Sequence, residues 1–211
     1  IYSIKKFNFD YFLLDGSSQL IAKTGYSRIG GFEIYLSRPE LGKHLWETIL
    51  EAGRLENIRP GSPNIIDRVE AGLLSYGNEM TVENTPLECN MDKFLDIYKE
   101  EDYIGKKVLL RQIKYGVKRR IRGAIYEGPK LPTISTPLQV FDTDKRTIVG
   151  SLTSGAFSPH FKSNIGIGMI SYGYWDKNKE IFVKISDHEF RKGLIKDLPL
   201  IQWGKNVSGN K

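Results

Sequence analysis

Arg68, Gly72 and Tyr76 follow one another at four-residue steps, with Ile65 three residues ahead. On a helix such steps share a face, so a guanidinium, a gap and a phenol would line up beside an aliphatic side chain. That face leaves room for a planar or anionic group, although helix-face charges are usually just solvated. Glu33 and Tyr35 form a second set: strict alternation over Phe32–Leu36 turns both away from Phe32, Ile34 and Leu36. On spacing alone, Glu33 is an exposed strand carboxylate. A third set is the basic run from Lys114 to Arg122, KYGVKRRIR. Cations on an extended strand can follow phosphates, and Tyr115 can stack a base. A charged strand edge that resists aggregation is the favoured reading of that run.

Other familiar signals fail. Gly25-Tyr26-Ser27-Arg28-Ile29-Gly30 resembles the G-x-S-x-G nucleophile elbow, but its second glycine comes one residue late and it lies between strands. Gly166-Ile167-Gly168 lacks the third glycine of a dinucleotide fingerprint and sits in a strand pattern. There is no P-loop, and Asn206-Val207-Ser208 is a chance glycosylation triplet. One cysteine, Cys89, excludes an internal disulfide and any multi-cysteine metal site, and His44, His160 and His188 are far apart, so no metal is expected.

The elements that must position these residues are legible in outline. The chain has 211 residues, 40% hydrophobic and 27% charged, with a net charge of +6. That is a globular composition with a mild bias toward anionic partners. No apolar run approaches the roughly 20 residues of a membrane helix, and no secretory signal is visible, so no membrane association is expected and the cytoplasm is the expected compartment. The chain opens on Ile1 within a patterned apolar stretch, which reads as a fragment or processed product.

The first 36 residues read as strands, with a turn at Asp15-Gly16-Ser17-Ser18. Ser37 and Glu40 have capping-box spacing before a helix whose stripe is Leu41, Leu45, Ile49 and Ala52, stopped by Gly53. Trp46 and Trp175 read as packing residues. Ser62-Pro63 opens a second helix, expected to run to about Tyr76 before Gly77, and Ile104–Ile113 reads as a short basic helix. Short strands follow at Ile121–Tyr126, Leu138–Phe141, Thr147–Leu152, Ile165–Ser171 and Ile181–Ile185. Their spacing predicts a small antiparallel barrel or sandwich, with a boundary near residue 115.

One long string is informative as a whole. Thr24–Leu36, TGYSRIGGFEIYL, resembles the TGY…GFE-I segment of the glycine-cleavage T-protein (aminomethyltransferase) superfamily. The resemblance continues through Asp67–Leu73 (DRVEAGL), Tyr76-Gly77-Asn78, Thr85–Glu88 (TPLE), Ile104-Gly105-Lys106, Val149–Gly155 (VGSLTSG) and Ser158-Pro159. Within the superfamily, Phe9–Phe12 (FDYF), Gly61–Arg68 (GSPNIIDR), Leu74–Asn78 (LSYGN) and Ser158–Phe161 (SPHF) look most like the dimethylsulfoniopropionate demethylases. Tyr26 departs from that branch, which carries tryptophan there; T-proteins carry tyrosine.

The resemblance implies an α+β fold: the C-terminal part of an αβ folate-binding domain over 1–114, then a C-terminal antiparallel β-barrel domain over 115–211. It implies a tetrahydrofolate-dependent one-carbon transferase that demethylates dimethylsulfoniopropionate to give 5-methyltetrahydrofolate. The alternatives are a glycine-cleavage aminomethyltransferase, which needs a lipoylated carrier protein, or a non-catalytic folate- or RNA-binding relative. Glu33 matches the family's pterin-binding glutamate, and Tyr35 and Arg68 are the other implied cofactor contacts. Tyr26 and Tyr76 are implied in substrate binding. The partner is a small-molecule methyl donor, and nucleic acid is not expected. Family members are longer, so the catalytic residues are expected in an N-terminal portion that precedes this chain.

Overall fold

A computed structural model describes residues 1–14, 16–26, 30–61 and 64–201. The turn residue Asp15, the Ser27–Ile29 stretch of the elbow-like string, the Ser62-Pro63 helix start and the Asn206-Val207-Ser208 triplet lie outside them. The described residues form two compact units, one over 1–64 and the other over 65–201.

In the first unit, β1 (Phe9–Leu14), β2 (Ser17–Ala22) and β3 (Glu33–Tyr35) make an antiparallel sheet in that order. The register pairs Tyr11 with Leu20 and Leu20 with Tyr35, then Phe9 with Ala22 and Ala22 with Glu33. Directly opposed residues share a face. Phe9, Tyr11, Leu13, Leu20, Glu33 and Tyr35 therefore lie on one side, and Phe12, Gln19, Ile21 and Ile34 on the other. The second side is the covered one: Gln19 and Ile21 are buried, whereas Phe9, Tyr11, Leu13 and Tyr35 are 62%, 63%, 74% and 54% exposed.

Helix α1 (Gly42–Ala52) follows a 3-10 turn at Pro39–Leu41. The capping box expected of Ser37 and Glu40 does not form, because extended Arg38 precedes the turn and Pro39 sets its first residue. Leu41, His44 and Leu45 enclose a small hollow with Leu14, Ser17 and Gln19, which puts this helix over the sheet. Gly53 stops the helix, its amide donating to the Ile49 carbonyl at 3.0 Å. Trp46, expected to pack, is half exposed because it stands one residue off the Leu41–Leu45–Ile49 stripe.

The second unit opens with α2 (Ile65–Glu70). The expected continuation to Tyr76 fails at Gly72, whose φ of +65° turns the chain out of the helix. The Gly72 amide donates to the Val69 carbonyl at 3.1 Å and the Leu73 amide to the Arg68 carbonyl at 3.0 Å, closing the terminus. The Ile65–Arg68–Gly72–Tyr76 face therefore does not exist. Helix α3 (Lys106–Tyr115) packs Leu109 against Leu87 and Ile97, close to where its sequence placed it.

Six strands then close a barrel in the order β4-β7-β6-β5-β8-β9, every neighbouring pair antiparallel. They are β4 (Arg119–Tyr126), β5 (Leu138–Phe141), β6 (Ile148–Ser158), β7 (Ser163–Ser171), β8 (Glu180–Ser186) and β9 (Glu189–Lys196). Every strand contributes to the interior, through Ala124, Tyr126, Val140, Val149, Leu152, Ile170, Ile181, Val183 and Ile195. An outer cluster joins Val69 of α2 to Ile121, Ile165 and Ile167 on β4 and β7. The glycine doublet of Gly166-Ile167-Gly168 serves packing: a Cβ on Gly168 would stand 2.6 Å from the Leu152 Cα.

The strand part of the basic run, Arg119–Arg122, pairs with β7 on one side and lies outside the β9 pairing on the other. Strand β7 pairs with β4 along its whole length, but β9 reaches only Gly123–Tyr126. Beyond the end of β9 a turn takes over: the Ile121 amide donates to the Glu88 carbonyl at 2.8 Å, and the Asn90 side-chain amide donates to the Ile121 carbonyl at 2.9 Å.

Candidate functional site

The sequence-predicted residues fall into two groups, one in each unit. In the first unit, β3 holds Glu33 and Tyr35 on one exposed face, as alternation predicted. The Thr24 hydroxyl donates to Glu33 Oε2 and so orients the carboxylate. In the sequence Thr24 is only part of a motif; its role follows from the Ala22–Glu33 pairing, which carries the chain after β2 alongside β3. Tyr26 is half exposed in the same connection, and Lys23 Nζ lies 5.7 Å from the ring centroid of Phe32, beside Glu33. This region offers a held carboxylate among exposed aromatic rings, suited to a planar ligand with adjacent N–H donors.

In the second unit, Arg68 is buried and both of its Nη nitrogens bond to protein. It donates from Nη1 to Glu79 Oε2 at 2.9 Å and to the Leu73 carbonyl at 2.8 Å, and from Nη2 to Glu79 Oε1 at 3.4 Å. Glu79 Oε2 also accepts the Ser75 amide at 2.6 Å. These bonds pin the 73–80 loop, whose tip presents Tyr76 at 68% exposure. Glu79 was missed at the sequence level because it reaches Arg68 across a turn, whereas Glu70 is the near neighbour in sequence.

Glu70 has a different partner. Ser158 Oγ donates to Glu70 Oε1 at 2.5 Å and accepts the Phe161 amide at 3.0 Å, with both Glu70 and Ser158 buried. Two motifs separated by 88 positions thus meet as one strut between α2 and the end of β6. The basic run is similarly occupied. Arg119 pairs with Glu88 at 3.1 Å, Arg122 Nε donates to the Trp175 carbonyl at 2.8 Å, and Arg120 lies 5.7 Å from the Trp175 ring. Burial lowers the Arg122 pKa from its usual value and pushes the Cys89 thiol up to about 11. Among the described residues no cluster of three or more His, Cys, Asp or Glu is arranged to hold a metal, and no helix is long and apolar enough to cross a membrane.

Comparison with known proteins identifies the family and the fold. The family model for the GCVT N-terminal domain matches residues 2–99, and that for the glycine cleavage T-protein C-terminal barrel domain matches residues 119–200. The chain belongs to the glycine-cleavage T-protein family. A dimethylsulfoniopropionate demethylase from Ruegeria pomeroyi is 40% identical over 184 residues, covering 87% of this chain and 49% of the relative. An aminomethyltransferase from Clostridium botulinum is 36% identical over 185 residues, covering 87% and 49%. The chain thus spans about half the length of the curated relatives it matches. The crystal structure of the glycine cleavage system aminomethyltransferase T from Bartonella henselae superposes with a TM-score of 0.73 at 23% identity, covering 87% of this chain and 50% of that one, which shows the shared fold.

In this chain the barrel-domain match opens at Arg119, the first residue of β4. The compact units part earlier, at 64 and 65, so the 65–99 segment matches the N-terminal domain model yet packs with the barrel.

Proposed function

We propose that this chain binds tetrahydrofolate through Glu33 and Tyr35, and contributes that site to a cytoplasmic one-carbon transferase that demethylates dimethylsulfoniopropionate. The observation that carries the reading is the pairing of Glu33 and Tyr35 on one exposed sheet face, with the carboxylate oriented by Thr24. The 2-amino-4-oxo edge of a reduced pterin presents adjacent N–H donors, and one carboxylate accepts both. Tyr35 and Tyr11 supply ring faces beside it. When bound, tetrahydrofolate supplies the nitrogen that receives the one-carbon unit. Tyr26 is the aromatic candidate for the donor, since an aromatic face attracts a sulfonium by roughly 0.5–2 kcal/mol depending on desolvation. Within the second unit, Arg68 and Glu79 hold in place the loop that carries Tyr76, the other candidate contact for the donor. The 40% identity to a dimethylsulfoniopropionate demethylase supports this choice of donor.

A second reading, a glycine-cleavage aminomethyltransferase working with a lipoylated carrier, is favoured by one observation. Tyr26 matches the tyrosine of T-proteins rather than the tryptophan of the demethylase branch.

Two measurements test these readings. Fluorescence titration of the chain with tetrahydrofolate should show binding that Glu33→Ala weakens at least about tenfold, since a charge-assisted bidentate pair is removed. Unchanged affinity in that variant ends the site assignment. A protein of the relatives' length carrying this chain should form 5-methyltetrahydrofolate from dimethylsulfoniopropionate. Folate-dependent ammonia release from an aminomethylated lipoyl carrier instead would select the second reading.

A further inference from the structure

The second unit holds a cavity of about 630 Å³ that the folate reading does not use. Its walls are the end of α3 (Arg111, Gln112, Tyr115), the Gly116–Lys118 connection into β4, Glu88, and Tyr172 just after β7. We propose that this cavity binds a free mononucleotide, with the base against Tyr115 and Tyr172 and the phosphate on Arg111 and Lys118.

Shape, charge and rigidity support the assignment independently of folate. The volume lies within the range of about 300–1,000 Å³ usual for small-molecule sites. Tyr115 and Tyr172 are 73% and 72% exposed, presenting ring faces to whatever enters. Tyr172 is nevertheless fixed: its amide donates to the Lys118 carbonyl at 2.8 Å, and its ring stands edge-on to Trp175 at 5.2 Å. Among the described residues, neither the Arg111 guanidinium nor the Lys118 ammonium has an ion pair or a hydrogen bond. Lys114 adds a third cation 5.1 Å from the Tyr115 ring. The acid in the lining, Glu88, is already satisfied by Arg119 at 3.1 Å and the Thr85 amide at 2.9 Å. The cavity is therefore cationic and aromatic together, which matches a phosphate joined to a planar base. Gln112 accepts the Thr85 hydroxyl at 2.7 Å, leaving its NH₂ to donate to a base acceptor.

A single nucleotide fits better than a strand. Arg119, Arg120 and Arg122, which would carry successive phosphates, are turned to Glu88 and Trp175 instead.

The test is equilibrium binding of adenosine 5′-monophosphate to the full chain, with adenosine, inorganic phosphate and a ten-residue 5′-phosphorylated oligonucleotide as separate arms. The mononucleotide should bind more tightly than either of its halves. Tyr115→Ala should weaken it about five- to tenfold, and Arg111→Gln with Lys118→Gln by a similar factor, with unfolding midpoints kept. Lys107→Gln removes the same charge from α3 outside the lining and should change nothing. No mononucleotide binding at about 1 mM overturns the proposal, as does equal weakening by Lys107→Gln. Tighter, steeply salt-dependent binding of the oligonucleotide overturns it in favour of a strand.

Discussion

Strand β3 and the loop after α2 each carry a glutamate and a tyrosine of the T-protein motifs, and the fold treats the two pairs differently. In the loop, Tyr76 is exposed while the Glu79 side chain is fully buried, its oxygens taken by Arg68 and the Ser75 amide. On the strand, Glu33 and Tyr35 both face outward and, among the described residues, the Thr24 hydroxyl orients the carboxylate. A carboxylate whose acceptors are filled by its own chain is a strut, and one held but open can receive a ligand's donors. The difference separates a carboxylate that builds the fold from one that can serve a ligand.

The contrast breaks most visibly at Glu79. Glu79→Ala leaves Arg68 buried without its counter-charge and should cost about 3–5 kcal/mol in urea unfolding. A loss below about 1 kcal/mol would make the loop pair a surface contact. Ser158→Ala removes the hydroxyl donor to buried Glu70 and should cost about 1–3 kcal/mol by the same measurement. Gly72→Ala should cost about 1–2 kcal/mol from the left-handed backbone alone, with more because the added Cβ meets Leu198 Cβ at 3.0 Å. An unchanged denaturation midpoint would show that the helix end can rearrange.

The pH dependence lies in the second unit, where burial raises the Cys89 thiol to about 11 and the Tyr126 phenol to about 12. Both are acids that the fold keeps neutral, so their contribution is complete below their unfolded pKa values and is lost as pH climbs through the folded ones. Stability should fall from about pH 9 upward, where unfolded cysteine begins to ionise. Cys89 should also resist a thiol reagent at pH 8 until the chain unfolds; rapid labelling of folded protein would contradict its burial. Glu33→Ala is the smallest expected change in stability, within about 0.5 kcal/mol, while folate affinity drops. A large stability loss there would erase the distinction between the two glutamates.

The regular parts of this architecture were readable from residues alone. Alternation placed Glu33 with Tyr35, and short apolar runs located five of the barrel strands. Strand β9 is not legible because Glu189–Lys196 breaks the two-residue alternation, with Arg191 and Lys192 adjacent before Gly193 and Leu194 and Ile195 adjacent after it, and that glycine weakens a strand pattern further. In the barrel that glycine sits where a Cβ would meet Tyr126 Cβ at 2.7 Å. Helix α2 ends earlier than its sequence predicts because the apolar period runs on past Gly72, and the period carries no information about backbone handedness. The partners of Arg68 and Glu70 were invisible for a related reason: a turn and a barrel strand bring them in, and local spacing reports neither.

The turn that completes hydrogen bonding along β4 bears on how this family's parts can be exchanged. Glu88 and Asn90 belong to the stretch matched by the N-terminal domain model, yet they occupy Ile121 where β9 stops short. A chimera joined anywhere between residues 99 and 119 would receive a barrel whose seam was fitted to a different protein's turn. The heritable module is therefore longer than the barrel, and recombination that respects it must carry the 85–91 segment along.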